Sequence, residues 1–353
     1  MYKNLNASVL GISGRQSELI ELALTYGFRG VDVNMTELQK RAESRGVDWA
    51  SRFISSAYQS TQRSKKSVAT NKLFRGCGFD LPICWQKSEE IFNQDMAKAD
   101  ALLELCQEMG IVRVQTPVWA ANDEAPYHEY FEASRTRLAQ IGEKLAGADV
   151  KLGLELQAAP SQRQVGANQF IYQAEAILTL INMIDADNVG LALDTWAWRV
   201  GEGGLDQLSE LPGNRIITVR LADLPDSSDP GSITLEERAL PGASGSIDFV
   251  ALMTMLGEKN YDGPITVFPR PGLLEGARDK VVQRTGDIIE SLWHEAGLSH
   301  LAKVAPLNAT EDEEETGEAE KAEAEKAEAA PAEEAKKAES GESSEAQEVS
   351  AES

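Results

Sequence analysis

Histidine and cysteine are both scarce, three of each in 353 residues, and that scarcity removes several classes of protein. Cys77, Cys84 and Cys106 are odd in number and lack Cys-x-x-Cys spacing, which argues against a disulfide framework and against a structural zinc knot; reduced, mostly buried thiols are expected. Long apolar runs are missing too. The longest are strand-sized, so no membrane association is expected, and the opening MYKNLNASVLGIS lacks the charged-then-apolar layout of a secretory signal, so a cytoplasmic protein is expected. Basic charge is short: 34 Lys and Arg stand against 57 Asp and Glu, with no local basic stripe. Such a surface repels phosphate backbones, which argues against a nucleic-acid partner.

Part of the acidity is concentrated at one end. Residues 310–353 hold 17 acidic side chains and four lysines, with Val349 as the single branched aliphatic and no aromatic. A segment of that composition buries too little apolar surface to offset its ordering entropy. The expected organisation is therefore one folded domain over residues 1–304 and a Glu/Ala-rich low-complexity disordered tail over 305–353. The tail is read first as a solvating segment and second as one that recruits a protein partner.

In the body, short apolar runs alternate with amphipathic stretches. Strands are expected at Leu5–Ile12, Gly30–Met35, Gly78–Trp85, Ile111–Val118, Lys151–Leu156, Val189–Leu193, Ile216–Leu221 and Pro264–Phe268. Helices are expected after Gly14, in a region broken near Gly46, and over Ser88–Met109, Tyr127–Leu145, Asn168–Ile184, Leu205–Leu211, Phe249–Glu258 and Arg278–Ala296. Ser88 is placed as an N-cap and Gly110 as a left-handed stop. Strands apolar on both faces belong in a parallel sheet covered on both sides. Eight strand–helix units fit a single (β/α)8 TIM barrel, an α/β fold. A doubly wound open sheet is the alternative, but Gly11-Ile-Ser-Gly14 lacks the full glycine fingerprint of its usual phosphate loop.

In a barrel the chemistry sits at the C-terminal ends of the strands. The polar residues expected there are Asn34, Asp80, Gln115, Glu155, Gln157, Asp194, Arg220, Asp223 and Arg270, with Trp119, Trp196 and Arg238 on adjoining loops. Glu155 and Asp194 each end an apolar run, where an unpaired charge is costly. Acids so placed bind a divalent cation or move protons; alternatively they pair with Arg220 and Arg270 in a strand-tying ion network. Trp119, Trp196, Trp198 and Trp85 are read either as walls for a sugar ring or as ordinary loop packing.

Leu152-Gly-Leu-Glu155, Val189-Gly-Leu-Ala-Leu-Asp-Thr195, Val219-Arg-Leu-Ala-Asp223, and Arg238 followed by Pro241-Gly-Ala-Ser-Gly-Ser-Ile-Asp248 resemble, in order, landmarks of the xylose isomerase-like barrels. That superfamily holds sugar isomerases and epimerases, inosose dehydratases and type 2 apurinic endonucleases. The resemblance implies a sugar or sugar-derivative isomerase or epimerase acting on a small carbohydrate. It also implies a divalent cation (Mn, Mg or Co) held by Glu, Asp, His and Glu, with Glu155 and Asp194 matching the first two. The sequence departs from the pattern beyond them. Arg220 and Ala197 stand where histidines are common, Phe268 stands where the last glutamate falls, and Pro241-Gly-Ala-Ser-Gly245 lacks its acid. His128, His294 and His300 lie on or beyond helices, away from strand ends. The metal site is thus expected to be partial, built on Glu155 and Asp194, and its cation weak or absent.

Two readings follow. In one, Glu155, Asp194 and Arg220 are catalytic, with Arg220 as the electrophile where the family uses a metal; Trp119, Gln157, Trp196, Arg238 and Arg270 then bind substrate. In the other, the barrel has lost catalysis and serves as a carbohydrate-binding or protein-interaction module. The sequence leaves substrate identity and oligomeric state open.

Overall fold

A computed structural model describes residues 1–48, 75–77 (backbone only), 79–226 and 228–302. The expected tail over 305–353, and the helical stretch beyond residue 48, lie outside the described residues. Ten strands are numbered here in chain order: β1 (Tyr2–Leu5), β2 (Gly30–Asp32), β3 (Arg75–Cys77), β4 (Arg113–Val118), β5 (Ala121–Asn122), β6 (Lys151–Leu156), β7 (Asn168–Gln169), β8 (Val189–Asp194), β9 (Ile216–Leu221) and β10 (Pro264–Val267). Eight of them form one sheet in the order β3-β2-β1-β10-β9-β8-β6-β4, every pairing parallel. The two ends meet beyond β3, where Asp80 makes an isolated parallel bridge to Gln115: Leu81 N donates to Gln115 O at 2.7 Å and Gln115 N to Phe79 O at 3.1 Å. The sheet closes into a (β/α)8 barrel. β5 and β7 form a separate antiparallel pair over its loops.

The strands are apolar because both of their faces are covered: β8 and β9 are buried at all positions. The helix Tyr127–Ala146 presents an apolar stripe to the sheet, burying Tyr130, Phe131, Leu138, Ile141 and Leu145. Close approach of β8 to the turn before β9 requires glycine at 190, since a Cβ there would sit 2.1 Å from the Arg215 carbonyl oxygen.

Several boundaries move from where the sequence places them. The first strand is Tyr2–Leu5 and not Leu5–Ile12, because the Asn6 side chain accepts from Val9 N at 2.9 Å and turns the chain. The third is Arg75–Cys77, upstream of Gly78–Trp85. Ser88–Met109 divides into helices Glu89–Met96 and Ala99–Met109, a break that nothing in the local sequence explains, and the Ser88 side chain makes no capping bond. Asn168–Ile184 begins as strand β7 before its helix Ala174–Met183. Gly110 ends its helix in the left-handed region at φ 64°, as expected. Cys106 is a buried free thiol, but Cys84 is exposed. No described helix is long and apolar enough to cross a membrane.

Candidate active site

Polar side chains that the sequence scatters over more than 260 residues converge inside the C-terminal half of the barrel. The Glu155 carboxylate at the end of β6 accepts from Arg220 Nη1 of β9 at 2.7 Å. Asp194, the last residue of β8, accepts from Arg238 Nη1 at 2.6 Å through Oδ2. Its Oδ1 caps the short helix Thr195–Val200 by accepting from Ala197 N at 3.1 Å, so one carboxylate both starts the helix and anchors the arginine. The Phe268 ring joins the two pairs: the Arg220 and Arg238 guanidiniums lie 4.3 and 5.3 Å from its centre.

Arg238 comes from a loop, and the fold fixes that loop firmly. Asp223 and Ala239 exchange both backbone hydrogen bonds, at 3.1 and 2.9 Å. The fully buried Asp223 side chain accepts from Leu224 N at 2.9 Å and Ser244 N at 3.2 Å. Asp223, picked out as a strand-end acid, therefore organises the loop behind the arginine.

The ring of polar groups continues around the barrel. Gln115 of β4 donates to Asp80 at 3.1 Å and to Glu155 at 3.4 Å, and accepts from the Thr218 hydroxyl of β9 at 3.3 Å. On the far side, Asp32 ends β2. It accepts from Asn4 Nδ2 through Oδ1 and from Asn6 Nδ2 through Oδ2, both at 2.7 Å, while Asn4 Nδ2 also reaches the Thr266 hydroxyl at 2.9 Å.

Electrostatics separate these groups. Burial pushes Asp32 up to about 7; Arg220 and the two amides oppose the rise, and Asp80 adds to it. Burial likewise raises Glu155, with Arg220 pulling it down and Asp194 and Asp80 pushing it up. For Arg220, burial works against the charged form, but Glu155, Asp32, Asp80 and Asp194 outweigh it and the guanidinium is held charged.

The other expected site residues fall into distinct places. Trp119 and Gln157 line a cavity of about 300 Å³ with Gln86, Lys87, Asn122 and Gln162, and Lys87 Nζ lies 4.7 Å from the Trp119 ring centre. Trp196 is fully buried beneath Arg238, 4.7 Å from its guanidinium. Trp198 and Trp85 are buried as well. Arg270 is exposed, and its backbone N–H donates to Arg238 O at 3.1 Å; among the described residues its side chain joins neither carboxylate, and the partner of Asp194 is Arg238. Asn34 caps the helix Met35–Arg45 by accepting from Glu37 N at 3.1 Å. Sequence reasoning passed over Asp32, Asn4, Asn6, Thr218 and Thr266. The pattern Asn34-x-x-Glu37 is an N-terminal helix signature; read so, it ends β2 at Asp32.

A family model described as the xylose isomerase-like TIM barrel matches residues 20–285. The chain belongs to that family. This xylose isomerase-like barrel is 24% identical over 181 residues to the inosose isomerase of Bacillus subtilis (strain 168), a stretch covering 51% of this chain and 62% of that protein. It thus spans less than two thirds of that curated relative's length. Among solved structures, a xylose isomerase domain protein from Alicyclobacillus acidocaldarius subsp. acidocaldarius superposes with TM-score 0.71 at 22% identity, over 84% of this chain and 99% of that one. The IOLI protein with a bound zinc atom follows at TM-score 0.66 and 18% identity, over 83% and 98%.

Zinc in that relative raises the question of whether the barrel's donors suit a cation here. Glu155 and Asp194 each face an arginine, and a guanidinium 11% exposed stands among the carboxylates. Among the described residues no group of three or more His, Cys, Asp or Glu side chains is placed to hold a metal ion. A divalent cation gathers several oxygen or nitrogen ligands and is repelled by a fixed positive charge. The described donor set does not fit one.

Proposed function

We propose that the protein is an isomerase or epimerase of a small sugar or sugar derivative, in which Arg220 supplies the positive charge that a metal supplies elsewhere in the family. The observation that carries this reading is the Glu155–Arg220 pair, at 2.7 Å, set among Asp194, Arg238 and Gln115 within the barrel. Removing a proton beside a carbonyl needs a base and a fixed charge at the developing oxyanion. Glu155, raised by burial, is a stronger base than a solvated carboxylate. Among the described residues the Arg220 side chain makes one hydrogen bond, through Nη1, so further N–H donors remain for a substrate oxygen.

Arg238, held against Asp194 and stacked on Trp196, is a second donor for substrate hydroxyls. The cavity of Trp119 and Gln157 takes the part of the sugar not undergoing reaction, with the indole against its apolar face. The cell compartment proposed is the cytoplasm, with a protein partner for the tail.

The test is proton exchange. Ketohexoses and inososes incubated with the protein in D2O and excess chelator are followed by proton NMR. Loss of the signal from the carbon beside the carbonyl, with appearance of an isomer, supports the reading. No exchange with any compound, or exchange restored only by added metal, overturns it.

A further inference from the structure

The pairing order places two groups of carboxylates on opposite walls of one lumen. In the closed ring β2 and β8 are separated by three strands in either direction, namely β1, β10 and β9 one way and β3, β4 and β6 the other. Asp32 on β2 thus stands across the barrel from Asp194, whose neighbouring strand carries Glu155. The hydrogen bonds that Asn4 Nδ2 donates to Asp32 and to Thr266 link β2, β1 and β10, and Arg220 acts electrostatically on both Asp32 and Glu155.

Asp32 is not simply tied into an ion pair. Two amides hold its oxygens at 2.7 Å and fix its orientation, yet the charges that act on it are Arg220 and Asp80, in opposite senses. Next to it, the Oδ1 of Asn4, a residue 2% exposed, has no hydrogen-bond partner, an arrangement that costs stability. A half-buried carboxyl oriented by neutral donors is equipped to exchange a proton.

We propose that Asp32 is the second proton-transfer residue of the site and that, with Glu155, it epimerises a carbon beside the substrate carbonyl by acting on the opposite face. This rests on the isomerase reading above and specifies it as inversion. The Glu155 carboxylate takes the proton from the carbon; the C–H electron pair becomes the carbon–carbon double bond of an enediolate, whose oxyanion lies beside Arg220. The Asp32 carboxylic acid then gives its O–H proton to the same carbon from the other side, and the carbonyl re-forms. The carbon is inverted, with no oxidation or reduction. Glu155 ends protonated and Asp32 ionised, and exchange with water restores both. A carboxyl that titrates near 7 is matched to this donor role at neutral pH.

The experiment uses the full chain in D2O, starting separately from each epimer of a pair interconverted by the wild type. Asp32→Asn should slow inversion by at least about 100-fold. It should keep exchange in the epimer whose hydrogen faces Glu155 within a few-fold of wild type, and lose exchange in the other epimer. Glu155→Gln should show the mirror pattern. Asn6→Ala keeps the carboxylate but removes one of its two donors, so it should move the corresponding limb of the pH–rate profile upward. Inversion by Asp32→Asn near the wild-type rate, or a pH profile unmoved by Asn6→Ala, overturns the proposal and leaves the isomerase reading standing. A wild type that exchanges none of the compounds overturns both.

Discussion

Arg238 and Asp194 meet at 2.6 Å although one lies in a loop and the other closes a strand, and the carboxylate is 1% exposed. A charge so buried is tolerable only because its partner and a helix N-terminus neutralise it. Removing one member of such a pair costs about 3–5 kcal/mol, because the survivor is stranded.

The first prediction follows for the companion pair. Glu155→Gln leaves Arg220 without its anion and should lower unfolding free energy by about 3 kcal/mol, besides removing the proposed base. Arg220→Met added to Glu155→Gln should recover most of that loss without restoring exchange. Chemical denaturation of the three proteins checks it, and a single variant as stable as wild type would contradict the pairing.

Metal affinity gives the second. Calorimetric titration with Mn2+, Co2+ and Zn2+ should show no stoichiometric site in the barrel. A site of micromolar or better affinity, abolished by both Glu155→Gln and Asp194→Asn, would restore an ordinary metal-dependent enzyme.

The third concerns pH. Asp32 binds its proton more tightly folded, at about 7, than unfolded, near the ordinary carboxyl value of 3.8. Between those values the native state holds more protons than the unfolded state, so this residue's contribution falls as pH rises and is most favourable below the unfolded value. Denaturation midpoints measured from pH 4 to 8 should contain a declining component that Asp32→Asn removes. Identical pH slopes in the two proteins would rule it out.

A fourth tests the scaffold behind Arg238. Asp223→Ala strands the Leu224 and Ser244 N–H groups and should cost about 1–3 kcal/mol. With Arg238 binding substrate as proposed, it should also weaken substrate affinity more than turnover, because it loosens that arginine. Gly190→Ala, whose Cβ meets a carbonyl oxygen, should cost about 3 kcal/mol by overpacking alone. Paired measurements of stability and KM separate the two effects.

The alternation of apolar runs makes the barrel legible in the sequence, and Lys151–Leu156, Ile216–Leu221 and Phe249–Glu258 keep their expected bounds. Ile216–Leu221 is buried throughout and Phe249–Glu258 buries residues at helical spacing, so local pattern and tertiary environment agree. Agreement fails where a polar side chain overrides the pattern, as Asn6 does in ending β1 within an otherwise apolar run. At the site, Glu155, Asp194 and Arg220 were legible because charge at the end of an apolar strand is conspicuous. The choice of Arg238 over Arg270 as the partner of Asp194 was not, since it depends on the Asp223–Ala239 bridge, a contact across a loop. Asp32 was hidden by Asn34, a better-looking strand end that belongs to the next helix.

The bridge between Asp80 and Gln115 has a consequence for how the molecule is made. Gln115 is at once the residue on which the last gap in the ring shuts and a hydrogen-bond donor to Glu155. Nascent or heat-damaged chains whose ring stands open would therefore lack this bond to Glu155 as well. On the proposed reading such molecules are inactive until their two edges join, so activity recovered after refolding would report closure of the ring.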